Sequence, residues 1–238
     1  MIKKNWEKLR QFAQEGLFHI FGSRVISQVG ALISSMVVIR FLEKVEYGYY
    51  VSANNLYSYP AIFVGLGMNN AIMQFCCERG SEGRRNAIFR HAFFRGNTAN
   101  ILVSLAIAGL AIWKFQTGKA KVAFYLLLMC TLPFFSFADT YSQTVLRVKL
   151  KNKVFSYANI AFSVVLLVGN LILTQIFDVP GLIYSKYLAI FVSVAFCMTA
   201  LQKERFFSVI RENEDRLGRE EKRQINSYAF VCSITNFA

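Results

Sequence analysis

Six times in 238 residues the chain runs for some twenty or more positions with hardly a charge. The runs cover about 17–42, 49–76, 92–115, 122–146, 156–177 and 182–201. A helix needs about 20 apolar residues to cross the hydrocarbon core of a bilayer. Within that core the backbone must satisfy its own polar groups, which an α-helix does within one segment. The pattern therefore predicts an all-α fold, a polytopic membrane helical bundle of six transmembrane helices. Composition agrees: 55% of residues are hydrophobic and 17% charged, where a soluble domain carries about a quarter charged residues. A seventh apolar segment begins at Ile225 and the sequence stops at Ala238. That segment is too short to span: it is either a short interfacial helix or, the reading we favour, the start of a seventh transmembrane helix, truncated.

The domain organisation follows from these runs. Residues 1–16 mix charge with apolar side chains and predict an amphipathic cytoplasmic helix, with Trp6 and Phe12 at the interface. The first apolar run is too long for the core of a signal peptide. Residues 17–201 form the six-helix bundle, 202–224 a charged cytoplasmic linker, and 225–238 the start of the seventh helix. The five cysteines lie in or at the ends of spans without metal-ligand spacing, and read as small packing residues.

A net charge of +13 in a soluble chain would suggest nucleic acid, but here the charges sort by loop. Twenty of the 27 Lys and Arg fall at the N-terminus, after the second and fourth runs, and after the sixth. Six, namely Arg40, Lys44, Lys114, Lys119, Lys121 and Lys186, fall on the other side. This alternation is the positive-inside pattern. It predicts a multi-pass plasma membrane protein with a cytoplasmic N-terminus, and no nucleic-acid partner.

The remaining cation, Arg24, lies inside the first run. At about 100° per residue, Ser23, Arg24, Ser27, Gln28, Gly30, Ala31, Ser34 and Ser35 gather on one side of that helix. Phe21, Val25, Ile26, Val29, Leu32, Ile33, Met36 and Val37 fill the other, and Val38 falls among the polar residues. Such segregation predicts lipid on one face and protein or water on the other. Small residues there also suit close helix packing, and an arginine at this depth can snorkel toward the headgroups. Intramembrane charges more often face a bundle interior or an aqueous cavity.

The fourth run carries Ser136, Asp139 or Thr140, and Gln143 at three-to-four spacing, with a kink expected at Pro133. Asp139, at a depth comparable to Arg24, is either its ion-pair partner or a protonatable coupling group. The second run adds Asn69, Asn70 and Gln74, and the fifth Asn159, Ser163, Asn170 and Thr174. Four spans with polar faces suit the walls of a hydrated cavity. The sequence has no phosphate-binding glycine loop, HExxH, GxSxG or His/Cys metal constellation. We therefore expect no catalytic residues, no metal and no cofactor.

The stretch GSRVISQVGALISSMVVIRFLEKVEYGYYVSANNLYSYPAIFVGLGMNNAIMQF resembles the opening of Wzx-type polysaccharide flippases, relatives of the MATE multidrug exporters and the lipid II flippase. Its elements are Arg40-Phe41-Leu42 closing the first span, Glu46-Tyr47-Gly48 in an external turn, Gly65-Leu66-Gly67 late in the second span, and a basic loop thereafter. The likeness is clearest over about the first 95 residues. It implies a MATE-like N-terminal lobe, the first of two bundles around a central cavity. It also implies alternating-access export of undecaprenyl-diphosphate-linked oligosaccharide, with the missing C-terminal half or polysaccharide assembly proteins as further partners beside membrane lipids.

An arginine on a hydrated wall can offer phosphate a permanent, bidentate partner. Arg24 is thus the expected anion contact, with Ser27, Gln28, Asn70, Gln143 and Asn170 lining the cavity beside Asp139. Two other readings remain at this stage. A cation-coupled multidrug exporter shares the architecture but should rely more on acidic residues. A non-transporting truncated or half protein would act as a membrane assembly partner.

Overall fold

The computed structural model describes residues 18–77, 81–203 and 217–235, and among these every regular element is helical. The order is α1 (Phe18–Phe41), α2 (Lys44–Ala61), a 3₁₀ turn (Val64–Gly67), α3 (Met68–Cys77), α4 (Glu82–Gln116), α5 (Ala120–Met129), α6 (Leu132–Val148), α7 (Asn152–Phe177), α8 (Val179–Gln202) and α9 (Arg219–Thr235). Six stretches are long and apolar enough to cross a membrane: α1, α2 through α3, α4, α5 through α6, α7 and α8. The expected amphipathic helix over 1–16 lies outside the described residues, as does most of the charged segment between α8 and α9. The last helix begins at Arg219, ahead of the apolar segment that starts at Ile225.

Two spans that read as continuous in the sequence are broken. The second stops at Ala61 and resumes at Met68. Pro60 comes first, then Gly65, Leu66 and Gly67 all take positive φ, at 65°, 46° and 67°. Glycine enters that region without a Cβ penalty. The side-chain amide oxygen of Asn100 on α4 accepts a hydrogen bond from the Gly65 N–H at 2.8 Å, so the break does not leave this buried donor unmet. Gly65 is also where the ring of Phe137 sits: an added Cβ would lie 2.3 Å from its Cδ2. Gly96 on α4 meets the same ring from another direction, with Cζ 2.1 Å from a Cβ placed there.

The fourth span breaks between Met129 and Leu132, just before Pro133. Proline removes one helical donor and crowds the preceding turn. Neighbouring helices take up freed groups. The Ser104 hydroxyl donates to the Cys130 carbonyl at 2.8 Å, the Cys130 thiol donates to the Ser104 carbonyl at 3.2 Å, and the Tyr187 hydroxyl donates to the Leu128 carbonyl at 2.7 Å.

Between the second and third spans, much of the expected basic loop is helical. The Ser81 hydroxyl caps α4 by accepting from the Arg84 N–H at 3.2 Å, a standard way to meet an orphan donor at a helix start. Arg84, Arg85, Arg90 and Arg95 therefore ride on α4 rather than on a loop. At 1.5 Å per residue its 35 residues measure about 52 Å, well beyond a hydrocarbon core of about 30 Å. The excess falls at the arginine-rich end.

Apolar burial gathers in two clusters. One joins α3, α4, α6 and α9 through Met68, Phe89, Phe137, Leu146 and Ile225. The other joins α4, α5 and α8 through Ile107, Leu126, Met129 and Ile183. At one end, Glu46 on α2 accepts from the Tyr125 hydroxyl on α5 at 2.9 Å and pairs with Lys121. The acidic residue of the external-turn motif thus staples α2 to α5.

Candidate functional site

Helix α1 displays the two faces its sequence foreshadows. Phe21, Val25, Ile26, Val29, Leu32, Ile33 and Met36 are all exposed, while Ser23 and Ser34 are buried. Val38, the apolar residue among the polar ones, is buried too. The polar face packs mainly on α7. Ser163 donates to the Ser27 hydroxyl at 2.7 Å, and the Asn170 amide donates to the Ser34 hydroxyl at 2.6 Å. A Cβ on Gly30 would be in ordinary contact with Ser163, at 3.9 Å.

Toward its start, this face opens from α7 into a cleft of about 350 Å³ shared with α6. Arg24, Ser27 and Gln28 form one wall, and Thr140, Gln143, Thr144 and Arg147 on α6 form another. Phe155 and Asn159 on α7 close it, with the Arg147 guanidinium 5.5 Å from the Phe155 ring centre. That distance is within cation–π range. Thr140, Gln143, Thr144 and Arg147 share a face because they recur at three-to-four spacing on a helix.

Arg24 and Asp139 do not pair. Among the described residues no carboxylate lies within ion-pair distance of Arg24 or Arg147. Asp139 is buried and points toward α8: the Ser193 hydroxyl donates to it at 2.6 Å, and the Gln143 amide donates to both its oxygens at 3.0 Å. Its contact with the cleft is thus indirect, through the orientation of Gln143. A group bonded this way is costly to remove. Asp139→Ala should lower stability by about 2–3 kcal/mol, because it strands the buried Ser193 hydroxyl and the half-buried Gln143 amide. Thermal melting of the detergent-purified protein reads this out, and a midpoint equal to the parent's would refute it.

The remaining expected lining residues lie elsewhere. Asn70 is exposed on α3, and its neighbour Asn69 turns to α6, donating to the Thr140 hydroxyl at 2.8 Å. Asn170 is buried between α1 and α7, outside the cleft. The structure adds Arg147, Thr144 and Asn159, of which Arg147 carries the most chemistry. Its signal was available in the spacing: it follows Gln143 by four residues and Thr140 by seven. Among the described residues no group of three or more metal-ligating side chains occurs.

Two guanidiniums, hydroxyls and amides facing one cleft, with no carboxyl in its described lining, can bind an anion and hydrogen-bond a polar ligand. The whole of this arrangement lies inside a stretch, residues 13–218, that matches the family described as "Polysaccharide biosynthesis protein". The chain belongs to that family. Its fold is that of a solved MOP superfamily transporter from Pyrococcus furiosus, with a TM-score of 0.64 at 16% sequence identity. The match covers 93% of this chain and 52% of that one, so this family member spans about half the length of the transporter it matches. The work on that transporter describes a binding pocket of reversed polarity and infers a different function from it. Among curated proteins none matches this sequence. Family, fold and spans together make this a multi-pass membrane protein with the architecture of a transporter lobe.

Proposed function

We propose that the chain forms one lobe of a flippase for a lipid-linked oligosaccharide, and that the diphosphate sits in the α1/α6/α7 cleft. The observation that carries this reading is the convergence of Arg24 and Arg147 on one cleft whose described lining holds no acid. A diphosphate offers several acceptor oxygens, and two planar guanidiniums can engage them without a metal. Ser27, Gln28, Thr140, Gln143 and Asn159 then supply donors and acceptors for the first sugars. Family membership supports a saccharide cargo, since its description names polysaccharide biosynthesis. Discontinuous spans beside the cleft support alternating access, because broken helices line the working cavities of many transporters.

The lipid carrier is undecaprenyl diphosphate and the compartment the bacterial inner membrane, with the N-terminus cytoplasmic as the loop charges direct. That orientation places Arg24 and Arg147 near the leaflet where lipid-linked saccharides would be loaded. A cation-coupled exporter would want its acid in the cleft. Asp139 instead serves Gln143 and Ser193 behind the wall.

Binding of a synthetic polyprenyl-diphosphate oligosaccharide to the purified chain tests this reading. Each of Arg24→Gln and Arg147→Gln should weaken binding at least about tenfold, the worth of one charge-assisted hydrogen bond. Inorganic pyrophosphate should compete. Equal binding of the uncharged polyprenol-linked sugar, or unaltered binding by both variants, would sink the proposal.

A further inference from the structure

On a different side of the lobe, an apolar groove of about 780 Å³ runs between α2 and α4. Leu56, Tyr59, Phe63, Leu102, Ala106 and Leu110 are among its walls, and Tyr59 and Leu102 are 63% and 70% exposed. It follows α4 from Arg95 to Leu110, about 22 Å of helix, which exceeds the depth of one leaflet at about 15 Å. The groove ends at Leu66 and Arg95, and the same two residues border a second cleft of about 530 Å³. That cleft is lined in addition by Arg219, Lys222 and Arg223 of α9.

We propose that this compound site holds one anionic glycerophospholipid, with its phosphate on the four cations and an acyl chain in the groove. Depth supports it. From Arg95 to the end of α4 is about 32 Å, close to a hydrocarbon thickness, so Arg95 stands where the acyl region meets the headgroups. Charge supports it as well. Among the described residues no carboxylate lies within ion-pair distance of Arg95, Arg219, Lys222 or Arg223. The nearby acid Glu221 is turned to Arg84 at 2.8 Å and accepts from the Gly218 N–H at 3.1 Å.

The polar groups favour a plain phospholipid over a saccharide carrier. Of the two neutral polar residues in the cationic cleft, Asn226 is engaged by His91 at 2.9 Å, which leaves Ser227. The Arg24 cleft, by contrast, offers several hydroxyls and amides. Anionic lipid is plentiful at the cytoplasmic face of a membrane, and mass action favours filling the site. Bound there, the lipid cements α9 to α4, since the cations come from both helices.

The full chain is reconstituted in vesicles of mixed phosphatidylcholine and phosphatidylglycerol, extracted in mild detergent and weighed by native mass spectrometry. The protein should retain one phosphatidylglycerol, at least about tenfold over phosphatidylcholine. The triple variant Arg219→Gln, Lys222→Gln, Arg223→Gln should lose retention at least about tenfold, as each juxtamembrane cation contributes roughly fivefold and three together exceed that loss. Ala106→Trp fills the groove from an exposed position without touching charge and should lose it too. Lys149→Gln with Lys151→Gln should leave it intact. A photoreactive side chain at Leu102 should label lipid.

Equal retention of both lipids, or retention by the triple and groove variants, overturns the proposal. Labelling of a second protein or a second copy from position 102 overturns it in favour of a protein neighbour. Preferential retention of a polyprenyl diphosphate overturns it in favour of the transported lipid.

Discussion

The Gly65→Val variant is expected to leave little folded protein in the membrane. Two costs combine at this position. The backbone has φ of 65°, where a side chain costs about 1–2 kcal/mol. The new Cβ would also lie 2.3 Å from Cδ2 and 2.5 Å from Cε2 of Phe137, whose ring is wholly buried. The ring is confined on another edge as well, where it lies so close to Gly96 that a Cβ there would be 2.1 Å from Cζ. Overpacking of this kind costs typically about 1–3 kcal/mol, and β-branched valine adds to the backbone strain. A loss of about 3 kcal/mol, near the middle of the summed range, is a large part of the roughly 5–15 kcal/mol that stabilises most folded proteins. The thermal midpoint in detergent should fall by roughly 6–12 °C, or the protein should fail to accumulate. Gly65→Ala combined with Phe137→Leu should recover part of the loss by relieving the clash. A Gly65→Val protein melting with its parent would show that the ring is not wedged.

On the flippase function proposed above, Arg24→Ala is expected to stop glycan export while the protein accumulates normally. In cells made dependent on the transporter containing this lobe, surface glycan should drop roughly 100-fold, equivalent to about 3 kcal/mol of lost anion binding. Arg24 is exposed in the cleft and pairs with no carboxylate among the described residues, so its removal strands no buried partner. That separates the transport effect from a folding defect, unlike substitution of Asp139. Arg24→Lys should retain part of the activity, since an ammonium keeps the charge but not the planar two-point contact. Normal surface glycan at normal abundance of the Arg24→Ala protein would remove Arg24 from the transport path.

Much of the fold could be read directly from apolar run length, because the bilayer sets that length independently of tertiary detail. The apolar face of α1 was equally legible, and Val38, the apolar exception among the polar residues, turns out buried with Ser23 and Ser34. Legibility failed where a neighbour decides. At the break Gly65 admits the ring of Phe137 and Gly67 admits the α9 backbone at Ala229, both distant in sequence, and hydropathy registers neither. Two glycines in an apolar run suit a close helix crossing as well as an interruption.

Arg147 escaped for a different reason. With the fourth span ending at Leu146 by hydropathy, the next cation counted as a loop charge, yet α6 continues to Val148 and carries it into the cleft. Helical spacing from Thr140 was the better guide than the end of the apolar run. Asn69 and Asn70 mark the limit of such spacing. Adjacent amides on one helix point about 100° apart, and only the position of α6 determines which of them finds a partner.

Helix α4 is a rod that crosses the membrane and continues about 20 Å past it. On the protruding part, Arg84 grips Glu221 and His91 grips Asn226, so α9 is tied to the rod's free end. Bilayers of different thickness tilt a spanning helix to different degrees. A small tilt inside the lipid becomes a larger sideways shift at the tip, and α9 travels with it. The thickness of the membrane is thereby transmitted to the first turns of α9, which are joined to the part of α4 outside the hydrocarbon.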